Sequence, residues 1–219
     1  FHCESCDHIL IRGVTFDGGL RPTEGSDRPV AHETIKVNQS TYVYIEDSNI
    51  SGADDNAIDF VAVQNGHIIG NRIHEVQDWC AYVKGGSANI LVDSNEIYDC
   101  GTGGFTAGQG TGLQFMSDPW LHYEAYGIRV VNNIVHDTEG AGLGVNGGYN
   151  ILVAWNTLFR VGSRSHVMEV EFGARSCDAA DVESQRTACQ SRIDAGAWGR
   201  PRSTTATTSC GFQVSTCSS

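Results

Sequence analysis

The chain has 219 residues, of which 40% are hydrophobic and 18% are charged. This length and this apolar content allow one large domain with a buried core, and they exclude an intrinsically disordered chain. The 26 acidic and 14 basic residues give a formal net charge of -12, which argues against nucleic acid or an anionic membrane as a partner. No apolar run reaches the ~18 residues of a membrane-spanning helix, and the opening at Phe1 lacks a signal-peptide pattern, so we expect a soluble mature form or a fragment.

One short pattern recurs along residues 9–158. Each copy begins with β-branched or aliphatic residues, continues with polar residues that usually include Asn, and ends on an aliphatic or aromatic residue. The copies span 9–16, 44–50, 68–73, 90–97, 128–135 and 151–158, and they end on Phe16, Ile50, Ile73, Ile97, Val135 and Leu158. Three of the five intervals between these end residues are 23 or 24 residues long, and the other two are 10 to 15 residues longer. The pattern indicates a fixed repeat that carries two insertions.

Apolar residues alternate with period two between Gly-rich turns, which predicts short strands rather than helices over residues 1–175. About 23 residues suit one rung of a three-sided coil, whose copies stack in parallel about 4.8 Å apart. The predicted fold is therefore all-β, a parallel β-helix of about six coils over 1–175. Residues 176–219 are typical of a cysteine-containing loop and a Ser/Thr-rich tail, with Cys177 and Cys189 stapling the loop and a candidate helix over 181–193.

The recurrent Asn has a structural explanation in such a coil. Asn71 and Asn95 occupy equivalent places at a bend, and Ser48, Asn133 and Asn156 share their register. Asn tolerates the left-handed backbone of a bend, and its amide both donates and accepts hydrogen bonds. We expect these side chains to stack as a ladder from coil to coil.

Successive copies with an aliphatic triplet followed by Asn-x-Ile make residues 8–172 resemble the right-handed parallel β-helix proteins of the pectate-lyase-like superfamily. Segments 79–86 (WCAYVKGG) and 139–148 (EGAGLGVNGG) are similar to bacterial secreted β-helix proteins of unassigned activity. The resemblance implies a single-stranded right-handed β-helix. Because that fold hosts lyases, hydrolases, epimerases, phage tailspikes and structural proteins, it implies an architecture and leaves the function to individual residues.

The second strand of each repeat predicts one polar column on the outside of the coil. With alternating side chains, the residues that face the core are Ile35, Val37, Ile58, Phe60, Val83, Leu143, Val145 and Val170. Their outward neighbours include Lys36, Asp59, Lys84, Asn146 and Glu169. Such a column suits a saccharide groove, with Lys36, Asn146 and Glu169 as candidate substrate-binding residues. The alternative is a solvated sheet face with mixed charges.

The densest acidic cluster surrounds the turn at residues 52–56. Asp47, Asp54 and Asp55 supply the hard oxygen ligands that suit Ca²⁺. Two adjacent carboxylates also suit the acid and base of glycoside hydrolysis. Segment 52–58 is similar to the paired-Asp segment of polygalacturonases, although the other motifs of that family are missing. The alternative is an Asx-rich turn that caps a strand.

A β-eliminating lyase needs a base for the proton beside the uronate carboxyl and a cation that stabilises the resulting anion. We assign Lys84 as the base, with Asp59 and Asp55 as further catalytic candidates. The arginines that could pair with the substrate carboxylate are Arg129, Arg160 and Arg164. His74 and His136 follow strands at equivalent places, so we expect them to decorate turns.

The insertion at 101–127 carries several aromatic residues among glycines. Aromatic rings on a loop beside the coil can stack on sugar rings, so Trp120 and Tyr123 are further substrate-binding candidates. Alternatively, these rings seal the core under a long loop.

The eight cysteines, an even number, favour an oxidising extracellular setting. Cys3 and Cys6 suit a local disulfide better than a zinc site, because no second Cys-x-x-Cys accompanies them. Cys80 and Cys100 lie about one coil apart, so they are placed to bridge neighbouring rungs.

Two functions follow from these features. The first is a secreted polysaccharide-active protein, either a lyase or a glycoside hydrolase, with Ca²⁺ as a candidate cofactor. The second is a non-catalytic extracellular protein that forms filaments by self-association through the coil ends, where strand edges are unpaired. The negative net charge disfavours an anionic glycan unless a local basic patch or Ca²⁺ receives it.

Overall fold

The computed structural model describes residues 1–20, 30–116 and 123–171, and five residues between 183 and 191. These five have helical backbone and fall inside the predicted helix. The Ser/Thr-rich tail, Cys177, Cys189 and Trp120 lie outside the described residues. Within the described ranges, no helix has both the length and the apolar content needed to cross a membrane.

The described chain is built almost entirely of short strands, with a single 3-10 turn at Leu113–Phe115. In chain order the strands are β1 His2–Glu4, β2 Asp7–Arg12, β3 Thr15–Asp17, β4 Ala31–Asn38, β5 Thr41–Glu46, β6 Asn49–Ser51, β7 Ala53–Val61, β8 Gln64–Ile69, β9 Arg72–Val76, β10 Trp79–Lys84, β11 Ser87–Asp93, β12 Glu96–Cys100, β13 Gly103–Ala107, β14 Ala125–Tyr126, β15 Arg129–Val131, β16 Ile134–Thr138, β17 Ala141–Asn146, β18 Gly148–Tyr149, β19 Leu152–Ala154, β20 Thr157–Phe159 and β21 Met168–Glu171.

The strands form three parallel sheets, and the chain visits the sheets in rotation. Sheet A has the order β1-β4-β7-β10-β13-β17-β21. Sheet B has the order β18-β14-β11-β8-β5-β2, with β15 and β19 continuing it, and sheet C has the order β20-β16-β12-β9-β6-β3. The six end residues of the sequence repeat pair with one another across sheet C, from Phe16 to Leu158. The parallel β-helix of about six coils is therefore confirmed, and the repeat gave its register.

Residues with left-handed backbone turn the chain at each corner of the coil. From sheet B to sheet C they are Gly13, Asp47, Gly70, Ser94, Asn132 and Trp155, and from sheet C to sheet A they are Gly52, Glu75, Asp99, Asp137 and Arg160. A positive φ costs a non-Gly residue roughly 1 kcal/mol or more, so packing along the whole coil sustains these corners.

The predicted Asn ladder is present at the corner between sheets B and C. Asn71 Nδ2 donates to Asn95 Oδ1 at 3.0 Å, and Asn95 Nδ2 donates to Asn133 Oδ1 at 2.9 Å. Asn133 continues the ladder to Asn156 at 2.9 Å. The ladder residues do not take the left-handed conformation themselves, because the residue before each of them does, for example Gly70 before Asn71.

The interior of the coil is a continuous apolar core that runs through all three sheets. The predicted core residues of sheet A are buried, with the exception of Val170, which is 43% exposed. Val170 has the inward register opposite Val145, but it lies on β21, the last strand of the sheet. No later described strand covers that face, so its inward position does not bury it.

Two disulfides have the predicted pairing. Cys3 bonds to Cys6 within the first coil. Cys80 of β10 bonds to Cys100 of β12, and Cys100 pairs in register with Val76, just before β10. The second disulfide therefore joins neighbouring rungs inside the core.

Candidate active site

A pocket of about 270 Å³ lies on the outer face of sheet A. Its floor consists of Lys36, Asp59 and Lys84, which belong to the adjacent strands β4, β7 and β10. Its wall is the segment that follows β13, and the wall residues are Gly110, Thr111, Gly112 and Phe115. Glu4, Asn38, Gln39 and Val61 complete the lining. Three residues that the sequence analysis selected for one groove thus share one pocket.

These residues occupy two adjacent columns rather than the single predicted column. The first runs Lys36, Asp59, Tyr82, Thr106, Gly144 and Glu169. The second runs Asn38, Val61, Lys84, with Asn146 and Glu171 further along. Lys84 stands two positions beyond the residue that pairs with Asp59, so it points outward from the neighbouring column. Tyr82, the tyrosine in register with Asp59, is outside the pocket lining but contacts Lys84.

Lys36 is held between two carboxylates. Its Nζ donates to Asp59 Oδ2 at 2.7 Å and to Glu33 Oε1 at 2.5 Å. Burial lowers the pKa of Lys36, but the hydrogen bonds and charges of Asp59 and Glu33 outweigh burial, so its pKa lies above the ordinary value. Lys36 is accordingly a fixed cation. The Asp59 side chain is only 1% exposed, although it lies on the outer face of the sheet.

Lys84 has a different environment. Its Nζ donates to the Tyr82 hydroxyl at 2.9 Å and lies 3.4 Å from Gln109 Oε1. No carboxylate in the described ranges forms an ion pair with it, so its amine is free to meet a substrate group. Burial, followed by the negative charge of Asp59, raises the pKa of Tyr82 far above its usual value. Tyr82 therefore keeps its proton at neutral pH, so its hydroxyl can donate that proton while its oxygen accepts from Lys84.

The composition of the chain makes this pair of lysines informative. Lys36 and Lys84 are the only two lysines among the 219 residues.

Two acceptors of the pocket lining, Asp59 Oδ1 and Asn38 Oδ1, are buried and have no hydrogen-bond partner in the described protein. Buried acceptors without partners are costly, so this pocket suits a ligand that brings hydroxyl donors.

The wall of the pocket is fixed by hydrogen bonds. The carboxylate of Glu124 accepts from the Thr111 amide at 3.0 Å, from the Thr111 hydroxyl at 2.6 Å and from the Gly85 amide at 3.0 Å. Phe115 ends the 3-10 turn on this wall, and it is 54% exposed beside the pocket. An exposed ring at the rim of a polar pocket is suited to stacking on a sugar.

The acidic residues of the predicted cluster lie on two different elements. Asp47 lies at the corner after β5, whereas Asp54 and Asp55 lie at the start of β7. Both of the latter contact His32, with distances of 3.0 Å from Nδ1 to Asp54 Oδ1 and 3.3 Å from Nε2 to Asp55 Oδ2. The corners of a coil point in different directions, which separates Asp47 from the other two.

Among the described residues, the group with ligand atoms closest together is His32, Glu33 and Asp55, within 4.8 Å of one another. It combines one imidazole with two carboxylates, whereas Ca²⁺ prefers six to eight oxygen ligands, so the donor set suits a transition ion better than Ca²⁺. Burial, and then the nearby carboxyl of Asp78, raises the pKa of Asp55 to about 6. Asp55 and Asp59 are four residues apart on one strand, about 13 Å in extended chain, and Asp55 does not line the pocket.

The other predicted site residues lie elsewhere. Asn146 is two strands beyond Lys84, and Glu169 is on the last strand of sheet A. Tyr123 packs on Tyr126 and Tyr149, with ring centroids 5.5 and 5.1 Å away, and does not line the pocket.

None of the three candidate arginines lines the pocket either. Arg160 is paired with Asp137, and Arg164 is paired with Glu139. Arg129 lies on β15, which belongs to sheet B.

Three residues that contact the pocket lining were not selected from the sequence, namely Tyr82, Glu33 and Glu124. Phe115 belongs to the aromatic insertion whose rings were expected either to stack on sugars or to seal the core. The position of Tyr82 could have been predicted from the repeat, because Tyr82 follows Asp59 by 23 residues and Asp59 follows Lys36 by the same interval. Glu124 and Phe115 belong to an insertion, where the repeat gives no register. Only the fold of the insertion brings them to the pocket.

The comparison with protein-family models agrees with this architecture. The family described as "Right handed beta helix region" matches residues 1–169. No curated protein matches the chain. Among solved structures, an alginate lyase from Paenibacillus sp. str. FPU-7 is similar, with 12% sequence identity, a TM-score of 0.40 and coverage of 73% of this chain and 68% of that chain. The chain belongs to the right-handed β-helix family.

Proposed function

We propose that this protein is a polysaccharide lyase that cleaves a uronate-containing glycan by β-elimination in the pocket on sheet A. The single observation that carries the proposal is that both lysines of an acidic chain line one pocket, where Lys36 has carboxylate partners and Lys84 has none among the described residues. Lys36 is fixed as a cation, and Lys84 is available to a substrate. β-Elimination needs both a cation for the carboxylate and a base for the neighbouring proton.

In the proposed reaction, Lys36 pairs with the uronate carboxylate and stabilises the negative charge that develops on it. The Lys84 amine removes the proton on the adjacent carbon. The electrons of that C–H bond form the new C=C bond, and the C–O bond to the next sugar breaks. The leaving oxygen takes a proton from Tyr82, which the Lys84 ammonium replaces through their 2.9 Å hydrogen bond. No water is consumed, and the free enzyme is regenerated.

Two further features support a glycan ligand. The polar side chains of Asn38 and Asp59 line the pocket, and Phe115 offers an exposed ring at the rim. In the pocket lining, Lys36 and Lys84 balance the formal charges of Glu4 and Asp59, on a protein of net charge -12. An extracellular location accords with the Cys80–Cys100 disulfide. We favour elimination over hydrolysis because the adjacent carboxylates Asp54 and Asp55 do not line the pocket, whereas both lysines do.

The test is an assay of the purified protein on polyuronates and neutral glycans, followed by the absorbance of the unsaturated product. We expect Lys84→Ala to lower the rate at least 100-fold, in line with the loss of a general base. His74→Ala, on the outer face of sheet C, is the matched control and should retain the activity. Unchanged cleavage by Lys84→Ala would remove Lys84 as the base, and a wild-type protein inactive on every uronate would sink the lyase proposal.

A second candidate function is self-association through the end of the coil. It is favoured by exposed apolar residues on and beside the last strand of sheet A, where Val167 is 59% exposed. Open strand edges of this kind can pair with another chain. Electron microscopy of the same preparation tests it, and filaments without cleavage would favour this function over the lyase.

A further inference from the structure

Glu124 is a fully buried acid that the proposed reaction does not use. It lies in the insertion between β13 and β14, outside the repeated part of the coil. Taking a carboxylate out of water costs several kcal/mol unless hydrogen bonds replace the lost hydration. No basic side chain of the described ranges forms an ion pair with it. The hydrogen bonds of Glu124 therefore have to account for its burial.

The contacts of Glu124 join the two sides of the pocket. Its Oε2 accepts from the Gly85 amide at 3.0 Å, and its backbone oxygen accepts from the Gly86 amide at 2.8 Å. These two glycines form the turn directly after Lys84. On the other side, Thr111 donates its amide to Oε1 and its hydroxyl to Oε2. Thr111 belongs to the pocket wall.

The chemistry of these contacts requires an acid. All three side-chain contacts are donors, and a carboxylate accepts all three, whereas a glutamine of the same size would turn its own NH₂ group toward one of them. Burial raises the pKa of Glu124, although the hydrogen bonds of Thr111 and Gly85 and the charge of Lys84 act in the opposite direction. Lys84 is therefore close enough to feel this charge.

The turn after Lys84, which Glu124 contacts, packs closely against the pocket wall. Gly85 has a φ of +67°, and a Cβ there would lie 2.8 Å from Val61 Cγ1 and 3.3 Å from Thr111 Cγ2. Val61 also lines the pocket. The position of the turn therefore depends on the wall, and Glu124 is the side chain that links them.

We propose that Glu124 is a positioning residue for Lys84: its buried carboxylate ties the turn after Lys84 to the wall of the pocket and so holds the lysine against Tyr82. The consequence for catalysis rests on the proposed role of Lys84 as the base. The link between Glu124 and Lys84 does not depend on that role, so it can be tested separately.

The first measurement uses the scarcity of lysine. Reductive methylation with ¹³C-formaldehyde labels Lys36, Lys84 and the amino terminus, and Lys36→Arg and Lys84→Arg assign the two lysine signals. In Glu124→Gln we expect the Lys84 signal to shift or broaden while the Lys36 signal stays in place. Glu46→Gln is the matched control, because Glu46 also accepts from two side chains, Arg12 and His67, but lies on sheet B. It should move neither signal.

The second measurement is kinetic. If the wild type cleaves a uronate polymer, folded Glu124→Gln should lose about tenfold or more in kcat with KM within about twofold, because a displaced base impairs the reaction more than binding. Circular dichroism and the melting temperature establish that the variant is folded. If it is not, Thr111→Val, which removes one of the three donors, takes its place with a smaller expected effect.

A folded Glu124→Gln with both lysine signals and kcat unchanged would overturn the proposal, as would an unmoved Lys84 signal in Thr111→Val when Glu124→Gln does not fold. A wild type without lyase activity would overturn the proposed function alone. In that case the Lys84 signal still decides whether Glu124 positions the lysine.

Discussion

The outer faces of sheets A and C carry similar kinds of side chain in different arrangements. On sheet C, the rings of His74, Tyr98, His136 and Phe159 form one stack, with centroids 4.6, 5.0 and 4.8 Å apart and interplanar angles of 7°, 3° and 15°. Each coil contributes one ring at the same position. On sheet A, the equivalent column changes from lysine to aspartate to tyrosine to threonine.

The difference indicates where function lies in a repeated structure. Because the rings of sheet C are equally spaced, each ring stacks on the next, and the stack contributes to packing. The polar residues of sheet A do not repeat, and Asp59 keeps a buried oxygen without a partner. Residues that repeat from coil to coil stabilise the β-helix, and the candidate binding site lies where the residues of a column differ from coil to coil.

The largest expected effect is the difference in stability lost when an ion pair is broken on sheet A and when one is broken on sheet C. Asp59→Asn removes a carboxylate that is almost fully buried against Lys36, and we expect a loss of about 3 kcal/mol in the free energy of unfolding. Glu96→Gln removes the exposed partner of Arg72 on sheet C and should cost less than about 1 kcal/mol. Urea denaturation measures both. Equal losses would show that burial on sheet A has no energetic weight.

A smaller effect is expected from the stack on sheet C. Tyr98→Leu removes the ring between His74 and His136 while it keeps an apolar side chain, and two stacking contacts of this kind are worth about 1 to 2 kcal/mol together. Thermal unfolding should reveal this loss. Cleavage of the polymer should stay within about twofold of the wild type, and a large drop would place sheet C in the active site and break the distinction.

The smallest effect depends on pH. Because the pKa of Asp55 is raised to about 6, the folded protein holds this proton more tightly than the unfolded chain, in which Asp titrates near 4. The corresponding stability is complete below about pH 4 and is lost as the pH rises through about 6. Asp55→Asn should therefore match the wild type near pH 4 and exceed it by on the order of 1 kcal/mol at pH 8, after discounting for solvent exposure.

Thermal melts of both proteins between pH 4 and pH 8 provide this measurement. Asp78→Asn removes the neighbouring carboxyl that raises the pKa of Asp55, so it should narrow the pH range over which the stability of the wild type changes. A stability difference that is the same at all pH values would contradict the assignment. On sheet C, Glu96→Gln gives the reference for a carboxyl in an exposed ion pair.

The repeat made the coil predictable because its spacing, its Asn ladder and its inward apolar residues all follow one register. The alignment of Ile50, Ile73 and Ile97 could be read directly from their intervals. The same intervals place Lys36, Asp59 and Tyr82 side by side, yet Lys84 required the actual pairing of β10, which shows it one column away.

The wall of the pocket could not be predicted in the same way. Glu124 and Phe115 lie in the insertion after β13, and hydrogen bonds to Gly85 and Thr111, not a repeated pattern, decide where they go. The placement of Asp47 away from the strand that carries Asp54 and Asp55 has a related cause. Closeness along the chain suggested one acidic site, but a corner of the coil separates residues that a linear reading places together.

The disulfide between Cys80 and Cys100 has a consequence for how the coil comes apart. Repeat structures lose order progressively from their ends, since each rung is held by its neighbours. A covalent link across 20 residues, nearly one full rung, closes a ring at the strand that carries Tyr82 and Lys84. Fraying that enters from the carboxyl end therefore meets this closed ring before it reaches the pocket floor of Lys84, Asp59 and Lys36, whereas the pocket wall at residues 110–115 lies outside the ring.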